Sequence, residues 1–215
     1  MTSNGAGHDE DEGSEHDGCG HEGHEQEPVE RTIEAAPPRV RELAEGCVRF
    51  VERAVGVKLD YQPETLPLVD HWIAAARAEA AAKPETAALV THTAGAYFGE
   101  VVRRRYPSWW RAGDDPAAFR VELEPVYLSF NPVELVVDAL LREGEGEAQE
   151  QLELEDADRD AVMARLAELP AVSEDEFFAL STRLEVIDIA VEAIRARRIA
   201  DSEPEAALGP ADYDD

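Results

Sequence analysis

Four potential metal ligands fall within nine residues near the front of the chain: His16, Cys19, His21 and His24, spaced H-x2-C-x-H-x2-H. Imidazole and thiolate donors suit borderline ions such as Zn2+, Ni2+ and Cu2+. Their affinity falls as pH drops through the histidine range, because the donors must be deprotonated. Gly18, Gly20 and Gly23 let the backbone wrap around such an ion. The cofactor this cluster implies is Zn or Ni, held for binding, storage or delivery. The spacing matches no structural zinc module, so incidental chelation by an acidic tail is the competing expectation.

A second constellation lies within a helical pattern near the middle of the chain. His92, Glu100 and Arg104, with Trp109 close behind, have the residue types of a polar pocket capped by an aromatic ring. These three are the candidate catalytic residues. The structural alternative is preferred. Ala88, Gly95 and Gly99 make a small-residue strip for close packing, Glu100 pairs with Arg104 one turn later, and the tryptophans fill space between helix and sheet. His71 lies about 200° around its helix from Val69, away from the core stripe, and is expected in solvent. Cys47 sits on an apolar helix face with no base nearby in sequence. The chain has no phosphate-binding G-x-x-x-x-G-K-[ST], no G-x-G-x-x-G following a strand and no G-x-S-x-G elbow. Enzymatic activity is therefore not the leading expectation.

The elements that would position these groups follow from periodicity. Val40, Leu43, Cys47 and Phe50 recur at spacings of three and four after Pro37-Pro38, and Gly56 ends that helix. Residues 57–61 alternate like a short strand. A second helix begins at Pro63 or at Pro67, with a stripe of Leu66, Val69, Ile73 and Ala76. Pro84 starts a third, running to about Arg105. Residues 109–110, 119–123 and 126–130 are aromatic and branched, separated by turn signals, and read as a small antiparallel sheet. Asn131-Pro132 caps a fourth helix ending near Gly144. Residues 156–169 form a short helix with Val162, Leu166 and Leu169 on one side. Ser173 and Glu176 form a capping box for the last helix, whose stripe is Phe177, Leu180, Leu184, Ile187, Val191 and Ile194. That stripe would serve a dimer seam, but Val186, Ile189, Ala190 and Ala193 broaden it into a core face, which favours a monomer over a homodimer.

The formal charge is −28, and it is unevenly spread. Residues 1–37 carry eleven acids and one Arg, residues 201–215 six acids and no base, and a third acidic run spans residues 143–160. Such a surface repels phosphates, so neither nucleic acid nor an anionic membrane is an expected partner. Eighteen Arg against two Lys, Lys58 and Lys83, resembles coding by a high-GC genome, with a salt-rich cytoplasm as the alternative source of the acidity. Two cysteines, Cys19 and Cys47, make no disulfide framework. With no basic-then-apolar leader and no apolar run of about 18 residues, the chain reads as cytoplasmic.

Several segments resemble an uncharacterised bacterial domain family: Leu59-Asp60-Tyr61-x-Pro63-Glu64-x-Leu66, then Ala94-Gly95-Ala96-Tyr97-Phe98-Gly99-Glu100-Val101, Trp109-Trp110, and the stretch from Leu180 to Val186. The resemblance covers about residues 48–195. It carries no known activity or catalytic residue, and implies only that the middle of the chain is one recurring bacterial unit.

The expected architecture is α+β and mainly helical, with about six helices around an antiparallel sheet of two to four strands. Residues 1–37 are expected as a disordered acidic tail, 38–200 as one domain with an exposed acidic linker near 143–155, and 201–215 as a second disordered tail. The expected function is non-enzymatic: an interaction module with an unidentified protein partner. Metal handling by the tail and an enzyme pocket around His92 and Glu100 are the alternatives.

Overall fold

Proline at the first helical turn, where its missing N–H does no harm, opens four of the helices. The computed structural model describes residues 34–142, 151–204 and 207–214, so His16, Cys19, His21 and His24 lie outside the described residues. Among these residues there are seven α-helices and one four-stranded sheet: α1 (Pro38–Val55), α2 (Leu66–Ala82), α3 (Pro84–Arg105), β1 (Ser108–Arg111), β2 (Arg120–Leu123), β3 (Leu128–Phe130), α4 (Pro132–Leu141), β4 (Leu152–Leu154), α5 (Asp156–Leu166), α6 (Glu174–Phe177) and α7 (Leu180–Ala200). No helix among them is long and apolar enough to cross a membrane.

The α+β, mainly helical architecture is as the periodicity indicates. Helix α3 is the central post. It packs against α1, α2 and α4, while α7 packs against α5 and α2. Tyr97 and Phe98 are wholly buried on α3, and Phe98 meets Phe130 of β3 edge-on. Gly56 closes α1 in the left-handed conformation, its N–H bonded to the Glu52 carbonyl. Cys47 is buried and free, and burial pushes its thiol up, away from reactivity.

The sheet is a strict meander, β1-β2-β3-β4, antiparallel throughout. Its register places Trp109 opposite Glu122, Glu122 opposite Ser129 and Ser129 opposite Glu153. Side chains alternate across the pleat. Val121, Leu123, Leu128, Phe130, Leu152 and Leu154 therefore join the core. Trp109, Arg111, Arg120, Glu122, Tyr127, Ser129 and Glu153 form the opposite, outer face.

Six details differ from the sequence expectation. Residues 57–61 form no strand. Leu59 is buried and Tyr61 turns into the left-handed region at φ 65°, so the chain bends into a 3-10 turn at Pro63–Thr65 that leads directly into α2. Helix α4 stops at Leu141, where Arg142 takes the left-handed cap conformation. The expected linker near 143–155 contains β4, because Leu152 and Leu154 alternate inward to complete the sheet, and residues 143–150 lie outside the described residues. Helix α5 ends at Leu166, leaving Leu169 exposed rather than packed. The last helix is two: the Ser173–Glu176 capping box opens the short α6, and the extended Ala179 separates it from α7. The broad apolar face of α7, Leu180 to Ile194, is buried inside the domain. Finally, the C-terminal segment is not free. A 3-10 turn at Pro210–Tyr213 is anchored on the outer face of the sheet.

Candidate functional site

Helix α3 distributes the three candidate catalytic residues rather than converging them. His92 and Glu100 are eight positions apart, about 12 Å along the axis. His92 is half-buried. Burial lowers its proton affinity, Asp115 opposes that shift and Arg39 adds to it. Glu100 pairs with Arg103, not Arg104: Arg103 Nη1 donates to Glu100 Oε1 at 2.8 Å, and Trp110 Nε1 donates to the same oxygen at 2.7 Å. Arg103 is 3% exposed, and its remaining N–H groups reach the Ser108 and Glu34 carbonyls. This is a buried ion pair fully engaged in joining α3, β1 and the approach to α1. The i,i+3 spacing wins because it points Arg103 inward, whereas Arg104 points outward. There Arg104 lies over the Tyr61 ring at 3.9 Å and donates to the Asp60 carbonyl at 3.0 Å. His71 is exposed.

The small-residue strip works as packing. A Cβ at Gly95 would meet the Val133 backbone at 2.9 Å, and one at Gly99 would lie 2.2 Å from the Trp110 ring. Trp110, not Trp109, fills the space between helix and sheet.

The quoted segments around Tyr61 and Tyr97 meet in space. Their rings stack 4.8 Å apart, and the Tyr97 hydroxyl accepts the Tyr61 N–H at 2.9 Å while sharing a 2.8 Å hydrogen bond with Thr65 Oγ1. Burial pushes the Tyr97 phenol up to about 12. The cluster braces the turn into α2. Its hydrogen-bonding groups are already matched to one another, which is the signature of a structural joint.

The group that sequence reasoning passed over is the outer face of the sheet. Glu122 is a carboxylate whose side chain is only 2% exposed. It accepts from Trp109 Nε1 and from Arg111 Nε, each at 2.5 Å. Both partners in turn touch the C-terminal segment. Tyr213 stacks on Tyr127 with centroids 4.4 Å apart and planes 8° from parallel, and Trp109 meets it edge-on at 5.8 Å. Arg111 Nη1 donates to the Asp214 carboxylate at 2.7 Å and Nη2 to the Pro210 carbonyl at 3.2 Å.

The Tyr213 hydroxyl fills the mouth of the β2–β3 hairpin. It accepts the Leu128 N–H at 2.9 Å, and the Leu123, Val126 and Leu128 carbonyls lie 2.8, 3.0 and 3.2 Å away. A phenol has one proton, so it donates to one of these three, and Leu123 is nearest. Burial pushes the Tyr213 phenol well above its ordinary range. The N–H of Leu208 extends the contact to the Glu124 carbonyl at 3.0 Å. Beside this cleft, Arg120 reaches both Ser129 Oγ and Glu153, and Ser129 Oγ donates to Glu153 at 2.7 Å.

Two sequence signals pointed here. Strand alternation places Trp109, Arg111, Glu122 and Tyr127 on one face, and Tyr213 is the single aromatic residue beyond residue 201. Chemically, the face can hold a phenol and an adjacent carboxylate. Among the described residues, no group of three or more His, Cys, Asp or Glu side chains is placed to hold a metal ion. No protein-family model matches the chain, nor does any curated protein or solved structure.

Proposed function

We propose that this chain is a non-enzymatic binding module whose recognition surface is the outer face of its sheet. One observation carries the reading: a tyrosine from a short segment is held there by a ring slot, a backbone cradle for its hydroxyl, and an arginine for the acid beside it. Among the described residues, the buried Glu122 carboxylate takes its donors from the slot's own Trp109 and Arg111, and such a buried charge is costly unless it fixes their geometry. Two of the three candidate catalytic residues, Glu100 and Arg104, have structural partners instead, which supports the non-enzymatic side of the reading.

The test uses the full chain carrying Tyr213→Ala, titrated with a synthetic peptide of residues 207–214 and followed by tryptophan emission, since Trp109 lines the slot. A contact of this size predicts saturable binding with a Kd on the order of 100 µM. A flat titration up to several millimolar would remove the sheet face as a recognition surface.

The second reading is transition-metal binding by His16, Cys19, His21 and His24, supported by donor type and density in the sequence. It concerns residues outside those described and is independent of the sheet face.

A further inference from the structure

We infer that the C-terminal segment is a tethered stand-in for an outside ligand: the sheet face is a receptor for a segment of another protein that carries a tyrosine followed at once by an acidic residue, and the chain occludes that receptor with its own Tyr213-Asp214. This rests on the sheet-face reading and adds the ligand's chemistry and its regulation.

The segment is built to lift. No described residue from 201 to 214 is buried, and Tyr213 and Leu208 are only half-buried. Among the described residues, none of the buried residues of the core lies beyond Ile194. Its opening therefore breaks contacts of the outer face and the hairpin mouth and leaves the apolar core intact, the condition for local opening well below global unfolding.

The receptor, by contrast, is fixed by the domain. Tyr127 and Trp109 stand on β3's approach and β1, and Glu122 holds Trp109 and Arg111 in register from the strand between. Each feature reads something specific. The slot between Tyr127 and Trp109 accepts a flat ring. The hairpin mouth requires a hydroxyl, because a phenyl ring would cover the Leu128 N–H and the Leu123 carbonyl without pairing either. Arg111 reads a carboxylate on the next residue and a carbonyl three positions before the tyrosine, so the ligand must also turn as Pro210–Tyr213 does.

Tethering sets the threshold. A short connection gives the cis segment an effective concentration in the millimolar range. A ligand of the same chemistry then competes only when it is abundant or makes further contacts. The cis segment acts as a selectivity filter.

The experiment compares the full wild-type chain with full-length Tyr213→Ala, each titrated with the peptide of residues 207–214 and with two altered peptides, Tyr213→Phe and Asp214→Asn. The Tyr213→Ala chain is expected to bind the parent peptide at least about tenfold more tightly than wild type does. On the opened chain, the Phe peptide is expected to bind about tenfold more weakly than the parent, and the Asn peptide several-fold more weakly. Adding Arg111→Ala to the opened chain should abolish the Asp-over-Asn preference while leaving the Tyr-over-Phe preference.

Equal binding by wild type and Tyr213→Ala would overturn self-occlusion while leaving the sheet-face reading in place. No binding by either would bring down both. A Phe peptide as tight as the parent would overturn the assigned chemistry. Concentration-dependent dimerisation of wild type that the parent peptide dissolves would assign the face to a second copy and overturn an outside partner.

Discussion

Asp70 on α2 accepts the Leu180 N–H at 2.7 Å, and so caps a helix that begins 110 residues later in the chain. Its other oxygen takes the Ser181 hydroxyl at 3.0 Å. Ala179, the residue at the local cap position of α7, has no side chain able to do this. One carboxylate thus both satisfies the first turn of α7 and fastens it to α2, at the positive end of the helix.

Asp70→Ala is therefore expected to lower unfolding free energy by about 1 kcal/mol, and Asp70→Asn by less, because an amide oxygen still accepts the Leu180 N–H. Chemical denaturation of the three proteins checks the order. Equal losses for Ala and Asn would show that charge, not capping, is the contribution.

Gly99→Ala is expected to cost about 1–3 kcal/mol, since its methyl would occupy the space of the Trp110 ring. Gly113, which has open space around it, provides the control: Gly113→Ala should change stability by less than about 0.5 kcal/mol. A loss at Gly99 accompanied by a changed Trp110 emission spectrum would place the strain at that contact.

Alkaline pH should destabilise the fold through its buried phenols. Burial is the main cause that pushes Tyr97 and Tyr106 each up to about 12. Below about pH 10 both are protonated in folded and unfolded chains, and their contribution is fully present. Between about pH 10 and 12 the unfolded chain loses these protons and the folded chain keeps them, so stability falls as pH rises. Denaturation midpoints at pH 9 and 11.5, read beside the 295 nm phenolate absorbance, test this. Tyrosine ionisation at ordinary pH before any unfolding would contradict it.

The tail makes a separate prediction. Calorimetry with Zn2+ or Ni2+ is expected to give submicromolar binding that vanishes on deleting residues 1–33, a cut that retains the Glu34 carbonyl bonded to Arg103. Binding weaker than about 10 µM would reduce His16, Cys19, His21 and His24 to incidental chelators.

Much of the helical frame was legible because its cues are local. The stripe from Val40 to Cys47, the cap at Asn131 and the Ser173–Glu176 box each depend on residues within a turn or two. What escaped was set by partners distant in sequence. Leu152-Glu-Leu154 has too few residues to declare a strand and becomes one only beside β3. The α6–α7 break at Ala179 follows from Asp70, far upstream. Glu100 chose Arg103 over Arg104 because Ser108 and Glu34 lay where Arg103 could reach them. The outer sheet face was hidden for the same reason: composition marked residues 201–215 as acidic and unstructured, and one tyrosine among six acids outweighs that composition only when a hairpin stands ready to receive its hydroxyl.

The most direct test of the central claim is amide hydrogen exchange at Leu128, compared between wild type and Tyr213→Phe. The N–H of Leu128 is bonded to the Tyr213 hydroxyl, and the substitution removes that oxygen while keeping the ring. Exchange at Leu128 should accelerate by about tenfold or more in Tyr213→Phe, with the amides of α3 unchanged. An identical Leu128 rate in the two proteins would mean that the tyrosine is not held in the hairpin mouth, and the sheet face would lose its claim to be a binding surface.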